Sequence, residues 1–559
     1  MDGPTIAAQL RELGVYYELE GDRHRSFAYE RASQSVAAAN GLQRLVEEGK
    51  VEELPGVGPS IARVIVELWK TGTVPLLERM RVTWPPVVIE LSQLPKVGVP
   101  KARKIYEALK PENIDMVAAA AKAGQLREIG GIGKLSETKI LAAIEQRKLQ
   151  GGSVLHSDAL PSAESLAAYL RAGACERVEV CGPVRRWMEV VDHLAFAVAT
   201  REPDAMIDRL AAYGLITSVD RSATPVVGFM AGGLRTEMYL APPNKLGWAQ
   251  VKATGAKEHV ALLEARARDR GMNLEILEAA DEQHVYSALG MPFIPPELRD
   301  GTDEVSMALG GDTFADLITL DDLRIATHCH TTYSDGRNSV AEMVRAAAEL
   351  GYDAITITDH SAAASYAGGL GLEQLYAQAA EIAALEAPEV RVFRGTEADI
   401  NIDGTIDVPA EIVPELDLVI ASIHQRFQLD EDGATNRLVN MMRQPFFKIW
   451  GHALGRMLLR REPVKVRLDE ILDAAAESRV AIELNGDPHR LDLDPINARK
   501  AAARGLPFVL SSDAHSTKGI AMANNAVHMA RRARIRKHQV LNALPPEEFA
   551  EHVRPRSGT

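Results

Sequence analysis

LRIATHCHTTYSDGRNSVAEMVRAAAELGYDAITITDH, residues 323–360, decides the architecture of the C-terminal part of this chain. It reads as a strand (LRIATHCH), a short loop (YSDG), a helix (VAEMVRAAAELG) and a second strand (DAITITDH), and the alternation continues to PFVLSSDAH at 507–515. Repeated strand–helix alternation implies a mostly parallel sheet or barrel, whose reacting groups sit at the C-terminal ends of the strands. Those ends carry imidazoles and carboxylates. His328 and His330 are two apart, which on a strand puts both on one face and Cys329 on the other. Asp335 lies in the loop, His360 ends DAITITDH, Glu397 follows VRVFRGT, His424 ends DLVIASIH, His452 follows FFKIWG, and Asp513 and His515 close PFVLSSDAH. Imidazole and carboxylate suit zinc, manganese and iron. Nine donors exceed what one ion takes. Two or three ions can hold the attacking and leaving oxygens of a phosphoryl displacement. The expectation is a metal-dependent phosphoesterase from about Asp321 onward, with Mn²⁺ and/or Zn²⁺ in two or three places and iron as a further candidate. His489, in GDPHR, has no strand-end position and reads as a surface or supporting residue.

Upstream, to about Lys148, apolar residues recur at helical spacing in IARVIVELW, ARKIYEAL and ETKILAAIE. Three glycine turns punctuate this part, each followed by a helix: Gly56-Val57-Gly58, Lys96-Val97-Gly98 and Gly131-Ile132-Gly133. Such turns let a hairpin approach a phosphate backbone, with helix N-terminal amides facing a phosphate oxygen. The contact positions nucleic acid without reading sequence. Gly56, Val57, Gly58, Gly98, Gly131 and Gly133 are therefore candidate DNA contacts, with Arg103 and Lys104 as basic support behind the second turn. Gln150-Gly151-Gly152-Ser153 reads as a linker. Beyond it, ERVEVCGPV, HLAFAVAT and LRTEMYLA read as strands with helices between them, and MPFIPPELRDG is irregular. The boundaries expected are 1–80 and 81–150 (helical), 151–242 and 243–320 (mixed), and 321–559.

The bulk numbers agree with this division. A chain of 559 residues suggests roughly three or four domains, and a 46% hydrophobic content supports sizeable cores. Three irregularly spaced cysteines indicate neither a disulfide framework nor a zinc knuckle, so a reducing cytoplasm is expected. No apolar run reaches the ~18 residues of a membrane span, and MDGPTIAAQLRELG lacks the features of a secretory signal. The net charge of −14 argues against nucleic-acid binding by the whole surface and leaves local basic patches open.

HCHTTYSDG, TDHS, GTEADI, ASIH, GHALGR and SSDAHS resemble the motifs of the PHP (polymerase and histidinol phosphatase) domain, over about Leu323 to Val540. The resemblance implies a distorted TIM-like α/β barrel with a trinuclear site. Its ligands would be His328, His330, Asp335, His360, Glu397, His424, His452, Asp513 and His515, with Glu397 bridging two ions. Arg426 and Arg456, beside ligands, are candidates to clamp phosphate oxygens bidentately.

The order of parts is similar to that of bacterial family X DNA polymerases, and the resemblance extends to FAYERAS (27–33), CGPVRR (181–186), TGAKEH (254–259) and ALGMPFIPPELRDG (288–301). It implies a multidomain fold: helical helix-hairpin-helix domains, an α+β nucleotidyltransferase-like palm and thumb, then the barrel. The palm departs from the family pattern. Gly182-Pro183 replaces a Gly-Ser pair, and proline removes a hydroxyl and an N–H donor. The family's paired aspartates correspond to His193 and Ala195, and the third to Glu237. Arg186 is retained. Mg²⁺ wants oxygen ligands, so Mg²⁺ and a nucleoside triphosphate are not expected there. Val64 and Ser60 stand where relatives with a lyase carry basic residues, so that activity is not expected either. The leading expectation is a metal-dependent 3′→5′ DNA exonuclease of DNA repair. The alternatives are a working family X polymerase with associated proofreading, a small-molecule phosphatase, and a noncatalytic DNA-end scaffold.

Overall fold

The computed structural model describes the chain except for residues 1–2, 38, 40–41, 93, 95–96, 150–151, 231, 386–389 and 556–559. Lys96 and the first half of the expected linker, Gln150 and Gly151, therefore lie outside the described residues. The chain forms two compact units, Met1–Thr313 and Phe314–Thr559.

The second unit contains seven parallel strands: β1 (Ile325–Cys329), β2 (Ala354–Ile357), β3 (Arg391–Asp399), β4 (Leu418–Ser422), β5 (Lys448–Trp450), β6 (Val480–Asn485) and β7 (Phe508–Ser511). Each strand pairs with its neighbour in chain order, as right-handed strand–helix crossovers produce. The helix Val340–Glu349 shows how local sequence builds the outer layer. Ser339 and Glu342 form a capping box, and Val340, Met343, Val344 and Ala347 are buried at helical spacing.

Inside the barrel, period-two alternation sorts the side chains. Ile325, Ala354, Phe393, Leu418, Ile420, Ile449, Ala481 and Val509 make an apolar floor, closed from below by Phe549 and Val553 of the helix Pro546–Val553. The alternate residues Ala326, Ile355, Val419, Ala421, Ile482 and Leu484 face the surrounding helices. Two to four residues further along the inward faces stand Glu397, Ser422, Glu483 and Ser511. The interior thus passes from hydrocarbon to hydroxyl and carboxylate before it reaches the imidazoles. Gly451 is required at this level, because a Cβ there would run into Ser422 Oγ and Ile420 Cγ2.

The seam between β1 and β7 is closed differently. An isolated bridge joins Cys329 to Ala514, and the buried side-chain amide of Asn542 stands between the strands below it. Its Nδ2 donates to Ile325 O (3.1 Å) and Leu510 O (2.8 Å), and its Oδ1 accepts from Leu510 N (3.0 Å). The unit begins before the expected Asp321. Ile318 N bonds Ile535 O and Leu317 pairs with Arg536, so the chain is already tied in at Phe314.

The first unit combines helices with a mixed five-stranded sheet in the order Arg177–Cys181, His193–Ala199, Arg235–Ala241, Val226–Met230, Ile216–Asp220. The expected pieces pack as one body here. Arg81, with its side chain 2% exposed, pairs with Glu12 at 2.7 Å and lies over the Tyr213 ring at 4.9 Å. Among the described residues, no helix is long and apolar enough to cross a membrane.

Candidate metal centre

The nine donors named from the sequence converge on one rim. His328 Nε2 lies 3.4 Å from Glu397 Oε2, His330 Nε2 lies 3.5 Å from Asp513 Oδ1, and His360 Nδ1 lies 3.0 Å from Glu397 Oε2. His515 Nε2 is 3.3 Å from Asp335 Oδ1, and His424 Nε2 is 3.2 Å from Glu397 Oε1. Three overlapping sets offer donor atoms to a common point: His330, Asp335, His360 and His515; His328, His330 and Asp513; and His360, Glu397 and His424. His452 falls outside these sets and bonds Glu397 Oε1 through Nε2 at 2.8 Å.

The route to the rim differs from the simple strand reading. His328 and His330 share a face, but β1 is bulged between Ala326 and Cys329, and His328 has φ +62°. His360 lies three residues beyond β2, bridged to Glu397. His452 (φ +24°) and Asp513 (φ +51°) also occupy left-handed backbone. Non-glycine residues there cost on the order of 1–3 kcal/mol each and cluster at functional sites.

Supporting side chains fix the rings. His328 Nδ1–H donates to Glu483 (2.5 Å), His424 Nδ1–H to Asp399 (2.5 Å) and His515 Nδ1–H to the Asp513 carbonyl (2.9 Å). In each ring Nε2 is thereby left as the inward donor, as metal-binding histidines require. Glu483 also accepts from Ser511 Oγ and from the amide of His452. Asp359 holds the loop that carries Asp335, accepting from Thr331 N (2.8 Å) and Ser334 Oγ (2.5 Å).

The donor set fits divalent cations. Buried His328 Nε2, His330 Nδ1 and Nε2, His360 Nδ1 and His452 Nδ1 have no hydrogen-bond partner, although buried polar atoms ordinarily do. The electrostatics point the same way. Burial alone would pull His328 down, but Glu483, Glu397 and Asp513 hold it well above the usual imidazole range. Against its own burial, Glu397 is held well below the carboxylate range by His424, His328 and His360. The site is thus a concentrated set of carboxylates seeking positive charge.

The arginines are arranged otherwise than expected. Arg456 donates through Nε to Arg490 O at 2.8 Å and through Nη2 to Leu491 O. Nε and Nη2 of the guanidinium are thus engaged by this backbone segment. The cation it helps to position, Arg490, was missed in the sequence. Arg490 Nε is buried, lacks a hydrogen-bond partner, and lies 3.7 Å from Asp513 Oδ2. Arg426 is exposed beside His424, with φ +57°.

In the first unit, Gly182, His193, Ala195 and Glu237 also come together. Ala195 pairs directly with Glu237 across adjacent strands, and a Cβ on Gly182 would meet Ala195 Cβ at 2.8 Å and His193 Nε2 at 3.5 Å. Pro183 is buried in the short helix Gly182–Arg185 that follows. Glu237 is taken up by Arg235 Nη2 (2.8 Å) and Tyr239 OH (3.0 Å). Asp192, with a side chain 70% exposed, points outward and holds His193 Nδ1 at 2.8 Å. Arg186 pairs with Asp300 at 3.2 Å.

Two of the hairpin turns share one geometry. Gly56 (φ +76°) and Gly131 (φ +90°) are left-handed, Val57 and Ile132 are buried, and nothing lies within 4 Å of a Cβ built on Gly58 or Gly133. Helices Pro59–Thr71 and Lys134–Leu149 follow. The second turn differs, for its left-handed residue is Gly98 (φ +62°), at the start of Gly98–Leu109. Arg103 pairs with Glu107 at 2.7 Å, and Lys104 Nζ donates to Gly130 O at 2.9 Å.

A parallel barrel with imidazoles and carboxylates gathered at its rim is the architecture of a PHP-domain protein, and residues 326–487 match the PHP domain. Residues 1–74 match a helix-hairpin-helix domain and residues 249–300 the DNA polymerase beta thumb. The DNA polymerase/3′-5′ exonuclease PolX of Bacillus subtilis is 30% identical over 564 residues, covering 97% of this chain and 98% of the relative. The chain therefore belongs to the family X DNA polymerases that carry a PHP domain. Shorter relatives match part of the chain. A probable phosphatase of Caldanaerobacter subterraneus is 29% identical over 39% of this chain and 87% of its own length. One of Vibrio vulnificus is 29% identical over 40% and 91%.

Proposed function

We propose that this protein is a divalent-metal-dependent 3′→5′ DNA exonuclease acting in DNA repair, built on a family X scaffold whose polymerase site no longer works. The observation that carries the reading is the convergence of three overlapping His/Asp/Glu sets on one barrel rim. The three sets would hold two or three ions, with Mn²⁺ or Zn²⁺ the best match to the donor chemistry. When bound, such ions supply Lewis acidity toward phosphoryl oxygens and lower the pKa of water toward neutrality. The chain's own residues do the rest. Glu483 and Asp399 fix the ring tautomers of His328 and His424. Arg490 adds fixed positive charge beside Asp513 for a substrate phosphate, and Arg426 offers a second cation at the rim. Gly56–Gly58 and Gly131–Gly133 would present amides to the DNA backbone. Residues 151–242 and 243–320 would serve as palm and thumb, cradling an end without extending it.

The palm geometry supports the loss of polymerisation. Two-metal transfer needs carboxylates bringing Mg²⁺ against both reacting oxygens, yet His193 and Ala195 occupy two of the three positions and Glu237 is paired with Arg235 and accepts a hydrogen bond from Tyr239. A small-molecule phosphatase is the second reading, favoured by the names of the shorter relatives. The hairpins oppose it, since a small substrate needs no such grip.

The test is a 5′-labelled primer–template incubated with the full-length protein and Mn²⁺. Stepwise shortening from the 3′ end is expected, abolished by chelator. Asp513→Ala and His330→Ala should each lower the rate by orders of magnitude, together with a fall in bound metal measured by mass spectrometry. Undiminished digestion by both variants would place the nuclease elsewhere.

A further inference from the structure

Tyr366 is 64% exposed and stands beside the donors. Its ring centroid lies 6.3 Å from that of His360 and 6.3 Å from that of His424. Those two histidines form one donor set with Glu397. The turn that carries it, Ser365–Ala367, is fastened to the rim at several points. Leu370 N bonds His360 O (2.8 Å), Ser361 Oγ and Ala363 N both bond Asp407 Oδ2 (2.8 and 2.7 Å), and Gln425 Nε2 bonds Ala363 O (2.8 Å). Gly369 sits so close to the carbonyls of Ser361 and Ala364 that no side chain fits there. The loop therefore presents the ring from a braced position. Partial burial and the nearby carboxylates of Asp399, Glu397 and Asp335 raise the phenol above its ordinary pKa, so it stays protonated.

A braced, solvent-facing aromatic next to a phosphoester-cleaving centre has a natural occupant. In a nucleotide the base lies one sugar away from its phosphate, so a phosphate at the donors brings a base to the neighbouring wall. Aromatic faces stack on every base without reading its edges, which suits an enzyme that must remove all four nucleotides in turn. We infer that Tyr366 is the platform on which the base of the 3′-terminal nucleotide stacks, so that it is a positioning residue making the centre prefer nucleotides to small phosphoesters. The inference rests on the nuclease reading above and adds the part of the substrate that is recognised.

The experiment compares full-length wild-type, Tyr366→Ala, Tyr366→Phe and Tyr366→Trp proteins in Mn²⁺, with equal metal content verified for each. The substrates are a single-stranded oligonucleotide, the same oligonucleotide ending in a 3′ abasic residue, and methyl p-nitrophenyl phosphate. Loss of one stacked base corresponds to about a tenfold or greater rise in KM. That rise is expected for Tyr366→Ala on the normal oligonucleotide, with kcat within about threefold, restored in the Phe and Trp variants. The abasic end and the small ester should be cleaved alike by wild type and Tyr366→Ala. An unchanged KM in Tyr366→Ala would overturn the inference, and so would equal losses on normal and abasic ends. Failure of Tyr366→Phe to restore activity would overturn it too, because the phenol proton would then be the working part. If wild type shortens neither oligonucleotide, the nuclease reading falls and this inference with it.

Discussion

At the scale of single residues, the barrel tolerates groups that an ordinary core would reject. Lys448 is fully buried, with Nζ bonded to Gln444 O (2.6 Å) and Phe446 O (3.0 Å), and burial, reinforced by Arg479, pushes its pKa down to about 8. In an unfolded chain the value is about 10.4. Between these values the unfolded state binds more protons, so stability rises with pH across roughly pH 8 to 10 and is lost as pH falls through 8. The size is on the order of 3 kcal/mol at most, at about 1.4 kcal/mol per pKa unit. Urea midpoints of the full-length protein should climb over this window, and Lys448→Met should flatten the climb. Parallel profiles for the two proteins would show that the ammonium is accommodated without cost. Most of the nine donor candidates were legible in the sequence because they lie at or just beyond the C-terminal end of an apolar strand, where such folds place chemistry. Glu483, Asp399 and Arg490 were not. Glu483 sits within an apolar strand and meets His328 across 155 residues of chain, a pairing that no local pattern announces. Arg490 does not directly follow a strand, and adjacency to a ligand in sequence says nothing about where a long side chain ends.

At the scale of elements, the hairpins separate folding from binding. Gly56 and Gly131 need left-handed backbone, so substituting them would perturb the turn itself. Gly58, by contrast, has φ −90°, and both Gly58 and Gly133 face open space. Among the described residues, nothing lies within 4 Å of a Cβ at either position. Gly58→Leu and Gly133→Leu should therefore leave thermal stability within a few degrees, weaken binding to DNA several-fold and slow digestion of long substrates. A small phosphodiester should be hydrolysed as before. Equal loss on large and small substrates would assign these glycines to the fold alone. The first and third turns were readable from sequence because glycine, a buried apolar residue and glycine recur before a helix. In the second, the left-handed residue is Gly98, the last position of the turn and not the first, which residue spacing does not reveal. Its basic residues are also partly engaged within the chain, Lys104 with the carbonyl of the third turn.

At the scale of the whole molecule, family membership predicts two activities and the local chemistry supports one. With dNTPs and either Mg²⁺ or Mn²⁺, an Asp513→Ala protein should leave a primer–template unextended, since the nuclease cannot then mask synthesis. Template-directed extension lost on Glu237→Ala would restore the polymerase. The multidomain order was legible from motifs, whereas the start of the second unit was not: Leu317 and Ile318 pair with residues more than two hundred positions away, which composition cannot signal. Asn542 carries a different kind of consequence. Exchanging its amide nitrogen for oxygen, as ageing by deamidation does, would aim a carboxylate at the carbonyls of Ile325 and Leu510. Two attractions would become repulsions at the one place where the ring of strands has no ladder, directly beneath His328 and Asp513. A residue that touches no ion or substrate is thus as exacting as a ligand, and a preparation could lose its activity on storage with every donor chemically intact.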